Sequence, residues 1–257
     1  MLHSEESGNG LPVVLLHGFG EDLTLWQEIV PPLAASYRVI TLDLPGFGQS
    51  PLPAAPFTLD EVAGNVHQHL QSAYQINKYV ALGHSLGGYV SLALAELFPA
   101  AIAGLGLINS TAFADSEEKK GLRDKTVTFI NQHGSAFFLG SFVPDLFAEK
   151  NRTALASEVQ KVLRMGETLP TEVLTAYMLA MRNRPDRTDV LKNHRHVFIA
   201  GGLHDRHVPY KDVESQINRL TYPHHGHIYQ NVAHMSMYEA RNELENDILI
   251  FLNEIKT

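Results

Sequence analysis

The chain predicts an α/β fold: a doubly wound, mostly parallel sheet with an inserted helical cap. Three observations carry that prediction. Short apolar runs recur at Leu11–Leu16, Tyr37–Leu42, Tyr79–Leu82, Ile102–Ile108 and His196–Ala200, without the polar alternation of a strand that has one wet face. Helical patterns separate these runs, as in a parallel sheet covered on both sides. From Thr111 to about Asn193 the strand-like runs stop and charged, amphipathic segments replace them. The expected organisation is therefore a core made of residues 1–110 and 194–257, with residues 111–193 as a helical cap.

Composition narrows the possible partners. At 257 residues, with 44% hydrophobic and 19% charged side chains, the chain suits one α/β domain carrying an insertion. A net charge of −8 argues against a nucleic-acid partner and against an anionic membrane surface. There is no cysteine, so disulfides and thiolate chemistry are excluded. The first residues lack the basic start and apolar core of a signal peptide. No apolar run approaches the ~20 residues that span a bilayer. The expectation is a cytoplasmic protein, monomer or homodimer, that acts on a small-molecule substrate. Nucleic acid, membrane insertion, cofactor and metal are not expected.

In chain order, residues 1–10 are polar and read as a loose or weakly paired start. The Leu11–Leu16 strand runs into His17-Gly18-Phe19-Gly20, where two glycines let backbone N–H groups approach a ligand. Leu25–Ala35 reads as a helix around Trp26, interrupted by Pro31-Pro32. After the Tyr37–Leu42 strand, Asp43 opens a turn-rich stretch through Ser50 and is expected to hydrogen-bond the N–H groups of that turn. Residues 51–57 read as a proline-rich loop. Thr58-Leu59-Asp60-Glu61 is a capping box for a helix through about Tyr74. In the insertion, Ser116–His133, Ala136–Phe147, Arg152–Met165 and Thr171–Asn183 read as helices. Phe113, Phe129, Phe137, Phe138, Phe142, Phe147, Tyr177, Met178 and Met181 are its candidates for a substrate-facing surface. Lys211–Arg219 and Glu243–Lys256 read as helices, with a short strand at Ile228–Asn231. His224, His225 and His227 have neither helical zinc spacing nor an adjacent carboxylate in the sequence.

The chemistry centres on Gly83-His84-Ser85-Leu86-Gly87, which lies between the Tyr79–Leu82 run and an apolar helix from Tyr89. A G-x-S-x-G in that context is a nucleophile elbow. The turn is so tight that the serine backbone is strained, and a Cβ at Gly83 or Gly87 would strike the neighbouring strand or helix. The following helix aims free N–H groups and a partial positive charge at the site. A serine hydroxyl needs a base, and the base needs an orienting acid. Ligands in such folds bind beyond the C-terminal ends of strands, so the partners should follow strands. Asp205 and His234 do so, giving the order Ser85, Asp205, His234. The N–H groups of Phe19 and Leu86 are the candidate oxyanion donors, with Gly18 as the turn glycine beside Phe19. His84, Phe138, Phe142 and Met178 are the candidate pocket residues.

These motifs, together with Trp26, Asp43–Ser50, Gly202-Leu203-His204-Asp205 through Val208-Pro209, and Ala233-His234-Met235, resemble the α/β-hydrolase family in its esterase, lipase and epoxide-hydrolase-like branch. The resemblance spans nearly the whole length. It implies that the insertion is a cap over the active site and that the activity is serine-dependent hydrolysis of a small apolar ester through an acyl-enzyme. Members that open epoxides or haloalkanes carry Asp at the nucleophile position, and Ser85 argues against both. The same triad also serves C–C bond hydrolases, perhydrolases, hydroxynitrile lyases and ligand-binding receptors on this scaffold. The family opens with a longer β-hairpin, so the first strand is expected to be short or missing.

Overall fold

The computed structural model describes residues 1–52 and 57–256. A seven-stranded sheet runs in the order β1-β3-β2-β4-β5-β6-β7. Its strands are β1 (Ser4–Ser7), β2 (Pro12–Leu16), β3 (Arg38–Leu42), β4 (Tyr79–His84), β5 (Ile102–Ile108), β6 (Val197–Gly202) and β7 (His225–Tyr229). Only β1 pairs antiparallel, against β3; the other neighbours are parallel. The expected fold class stands. All six residues of β4 are buried, as are Val13–Leu16 of β2. That two-sided burial is why these segments read as continuous apolar runs.

The helices are α1 (Val30–Ala34), α2 (Leu59–Tyr74), α3 (Leu86–Leu97), α4 (Glu117–His133), α5 (Ser135–Leu146), α6 (Ala156–Met165), α7 (Thr171–Arg182), α8 (Thr188–Asn193), α9 (Tyr210–Ile217), α10 (Ser236–Glu239) and α11 (Arg241–Lys256). The capping box at α2 is formed in both directions. Thr58 Oγ1 accepts from the Glu61 N–H at 3.2 Å, and Glu61 Oε2 accepts from the Thr58 N–H at 2.7 Å. Helices α4–α8 lie between β5 and β6. In α4 only Ile130 is fully buried, Val127 and Phe129 are partly buried against the core, and charged pairs add to that packing. Asp115 pairs with both Arg123 and Arg184, and Arg182 pairs with Asp124 at 2.7 Å.

Three local expectations need correction. The polar start is ordered: β1 pairs residue for residue with β3, and the His3 ring donates to Asp43 Oδ2 at 2.8 Å. It has no apolar signature because it is an exposed edge strand. Pro31 and Pro32 do not interrupt a helix; they sit in the first turn of α1, where a missing N–H costs little. A separate 3₁₀ turn, Leu23–Trp26, precedes it. The last strand is His225–Tyr229, several residues earlier than Ile228–Asn231, because histidines supply much of it. Helix α8, inside the insertion, packs on α3 of the core. Just before it, buried Arg187 bridges Asp60 and Glu96 at 2.5 and 2.8 Å. Part of the proline-rich stretch, residues 53–56, lies outside the described residues. Among the described residues no helix is long and apolar enough to cross a membrane.

Asp43 does what its turn-rich context predicts. It accepts from the Gln49 N–H at 2.8 Å, and it also reaches back to the Leu23 N–H at 2.8 Å. The parallel strands β2, β4, β5 and β6 end on one edge of the sheet, and the loops that leave them carry His17–Gly20, Ser85, Asn109 and Asp205.

Candidate active site

Ser85 occupies the single residue between β4 and α3, at φ 49° and ψ −110°. This is the strained left-handed backbone expected of the elbow. The two glycines are explained by contact. A Cβ on Gly83 would lie 2.1 Å from the Gly87 carbonyl in α3, and one on Gly87 would lie 2.2 Å from the Leu16 carbonyl of β2. The turn is pinned from outside: the Ser85 N–H donates to the Ile108 carbonyl at 3.0 Å, and Ser110 Oγ donates to the Ser85 carbonyl at 2.7 Å.

His234 and Asp205 meet as their order in the chain predicts, with His234 Nδ1 2.7 Å from Asp205 Oδ2. The Asp205 carboxylate is fully engaged. Its Oδ1 accepts from the N–H groups of His207 and Val208 at 2.8 and 2.9 Å, and its Oδ2 also accepts from Asn109 Nδ2 at 3.1 Å. Burial alone would raise its pKa. His234, the Val208 N–H and Asn109 outweigh that and hold it below the ordinary carboxylate value. An ionised Asp205 can only accept, so Nδ1 of His234 carries the proton and Nε2 is left as the acceptor.

Asn109 is a functional neighbour that the sequence did not reveal. Here, at φ 47°, it donates to Asp205 and to the Ala233 carbonyl (2.9 Å) and accepts from Ser236 Oγ at 2.6 Å. It thus ties the acid to the backbone that carries His234. The available signal was its place directly after a buried strand.

His84 is a correction. It is not among the residues that line the cavity holding Ser85, and it is fully buried. Its Nε2 lies 2.9 Å from the His234 carbonyl and its Nδ1 lies 3.0 Å from Glu21 Oε2. Both ring nitrogens face oxygen atoms, an arrangement that favours the doubly protonated ring. Desolvation would lower its pKa, but Glu21 and the carbonyl raise it above the ordinary value. Correspondingly, burial opposes ionisation of Glu21, and His84 outweighs that and lowers its pKa. Glu21 Oε2 also accepts from the Gly18 N–H at 2.6 Å. A Cβ on Gly18 would come within 2.6 Å of Glu21 and 2.7 Å of His84. The buried ion pair therefore supports the Gly18-Phe19 loop from below. His17 holds the other side: its Nδ1 donates to the Gly18 carbonyl at 2.8 Å and its Nε2 accepts from the Leu44 N–H at 2.9 Å. Burial, the largest influence, lowers the His17 pKa and keeps that ring neutral.

A cavity of about 310 Å³ brings the sequence-predicted residues together. Ser85, His234, Phe19, Phe138, Phe142 and Met178 all line it. Phe19 stands between the core and the insertion, its ring edge-on to Phe47, Phe138 and Phe142. Among the described residues neither the Phe19 nor the Leu86 N–H meets a protein acceptor. Of the other aromatic candidates, Phe147 and Tyr177 are fully buried away from the cavity, Phe137 is exposed, and Phe113 and Phe129 do not line it. Sequence period cannot separate a helix face that meets a cavity from one that meets a neighbouring helix. His207 also lines the cavity. Burial and the nearby His234 push its pKa down to about 4. A larger cavity, about 550 Å³, borders Asp205 and Phe147 but does not reach Ser85 or His234. His225 and His227 pair with Glu254 and Asp247 of α11 at 3.0 and 3.1 Å, carboxylates distant in the sequence.

The family profile for the α/β hydrolase fold matches residues 12–240. The chain belongs to the α/β-hydrolase fold family. It is 32% identical over 255 residues (95% of this chain, 64% of that one) to the dihydrolipoyllysine-residue acetyltransferase component of an acetoin cleaving system from Pseudomonas putida. It is 37% identical over 134 residues, half of this chain and 49% of the other, to the pimeloyl-[acyl-carrier protein] methyl ester esterase of Aeromonas hydrophila. The chain thus spans less than two thirds of the length of these curated relatives. A thermophilic esterase from Thermogutta terrifontis, solved with malate bound, superimposes with a TM-score of 0.92 at 28% identity, covering all of this chain and 94% of that one.

Proposed function

We propose that this α/β-hydrolase-fold protein is a serine carboxylic ester hydrolase that works through an acyl-enzyme. One observation carries the reading. Ser85, on its strained elbow, lines the same cavity as a His234 whose ring is already oriented by Asp205. Similarity to esterases supports it. Ser85 Oγ attacks the ester carbonyl as His234 Nε2 takes its proton. Asp205 stabilises the imidazolium that forms. The N–H groups of Phe19 and Leu86 hold the oxyanion, with the N-terminus of α3 adding its partial charge. His234 then protonates the leaving alcohol, and the same base activates water to release the acid.

The reading is tested with p-nitrophenyl acetate and butyrate on wild type, Ser85→Ala and His234→Ala. The expected outcome is turnover by wild type and a loss of ~10³-fold or more in each variant. Turnover that survives Ser85→Ala would contradict it.

A further inference from the structure

Part of the cavity lining is cationic. Lys119, Leu122, Arg123 and Thr126 recur at helical spacing, so α4 presents one face to the cavity that holds Ser85. Arg206 reaches the same space from the loop after β6. This clustering runs against the chain as a whole, whose net charge is −8. Among the described residues no carboxylate lines this cavity. Asp115 is shared between Arg123 and Arg184, and Asp205 is engaged by His234. Among the described residues Lys119 and Arg206 stand in no ion pair. The Lys119 ammonium donates to the His207 carbonyl at 3.2 Å and has further donors to offer.

Arg123 is held in place before any ligand arrives. Asp115 holds its Nε, while Nη1 lies 3.4 Å from Met178 Sδ and 3.6 Å from Met181 Sδ. Tyr89 adds a hydroxyl-bearing ring to this wall, with the Arg184 guanidinium 4.0 Å from the ring centroid. Burial would raise the Tyr89 pKa, yet Arg184, Lys119 and Arg123 together lower it. The wall therefore carries a positive potential that an anion would feel. The rest of the lining includes Phe138, Phe142, Met178 and Met181, which suits a short methylene chain.

We propose that this wall is a carboxylate subsite: the ester carries a carboxylate a few methylenes from its reacting carbonyl, held by Lys119 and Arg123. The proposal rests on the serine ester-hydrolase reading for the reacting end. The carboxylate can belong to the acyl or the alcohol part, and the test separates the two. kcat/KM is measured for monomethyl adipate against methyl hexanoate, and for 6-acetoxyhexanoate against hexyl acetate. The variants are Lys119→Gln and, as a control on the exposed face of α4, Lys125→Gln. Wild type should favour the acidic member of one pair by about tenfold or more, the size expected of a charge-assisted contact. Lys119→Gln should erase about tenfold of that ratio, and Lys125→Gln should leave it. The preferred pair identifies the side that bears the carboxylate. No preference for an acidic ester, or a ratio that Lys119→Gln leaves intact, overturns the proposal. If none of the four esters is hydrolysed, the ester reading is judged on the p-nitrophenyl esters and the subsite by binding alone. Calorimetric titration of adipate into wild type then decides: binding weakened by Lys119→Gln supports the subsite, and absence of binding overturns it.

Discussion

The cavity has a floor from the sheet and a ceiling from the insertion, and the two are built differently. In the floor, covalent and steric limits leave no latitude. Gly83 and Gly87 touch backbone, Ser85 is strained, and Asp205 has every near acceptor site filled. The ceiling has its own apolar core, but α4 is held in part by exchangeable contacts. α4 fully buries only Ile130 and is tethered by Asp115 and Asp124 to arginines. On the proposed reading the floor sets the reaction and the ceiling selects the molecule that enters. Four substitutions break or sharpen this contrast.

The largest effect should come from Asp205→Asn. Steady-state kinetics on a p-nitrophenyl ester should show kcat falling by ~10³–10⁴, because His234 loses the partner that selects its tautomer. Next, Glu21→Gln removes one half of a buried ion pair and leaves the His84 imidazolium uncompensated. Urea denaturation near neutral pH should show a loss on the order of 3 kcal/mol. Glu21 has a lowered folded pKa, so its contribution is present above the ordinary 4.5 and is lost as pH falls through the folded value. His84 has a raised folded pKa, so its contribution is present below 6.5 and is lost as pH rises through the folded value. The difference between wild type and Glu21→Gln should therefore narrow at both ends of the pH range.

A smaller effect is expected at His207. Its folded pKa, about 4, is below the ordinary 6.5. The unfolded chain binds the extra proton between these values, so stability falls as pH is lowered from 6.5 to 4. In His207→Gln the melting temperature should decline less steeply over that interval. The mildest change is Phe138→Ala in the ceiling. It should shift the p-nitrophenyl octanoate-to-acetate ratio of kcat/KM by about tenfold, with acetate the less affected. Equal losses on both esters would move Phe138 out of the specificity wall.

The same contrast explains what could be read from the sequence. The elbow, the Ser85–Asp205–His234 order, the Thr58 capping box and the buried strands follow from local rules: a glycine where a Cβ collides, or an apolar run where both faces are covered. The Glu21–His84 pair escaped because Glu21 lies in the loop after β2 and His84 at the end of β4, and only the fold brings them within 3.0 Å. Asn109 escaped because positioning leaves no chemical signature in the residue type. Strand β1 escaped because an exposed edge is not apolar. In the ceiling, the helices were legible, but the face each one turns to the cavity was not. Phe138 and Met178 face it, whereas Tyr177, adjacent to Met178, donates to the Pro45 carbonyl at 2.9 Å.

The most direct test of the central claim, that Ser85 is the nucleophile activated by His234, is fluorophosphonate labelling followed by peptide mass spectrometry of wild type, Ser85→Ala and His234→Ala. The account predicts one adduct on Ser85 in wild type, none in Ser85→Ala, and labelling slowed by at least ~10²-fold in His234→Ala. An adduct on another residue, or labelling of Ser85 at an undiminished rate without His234, would contradict it.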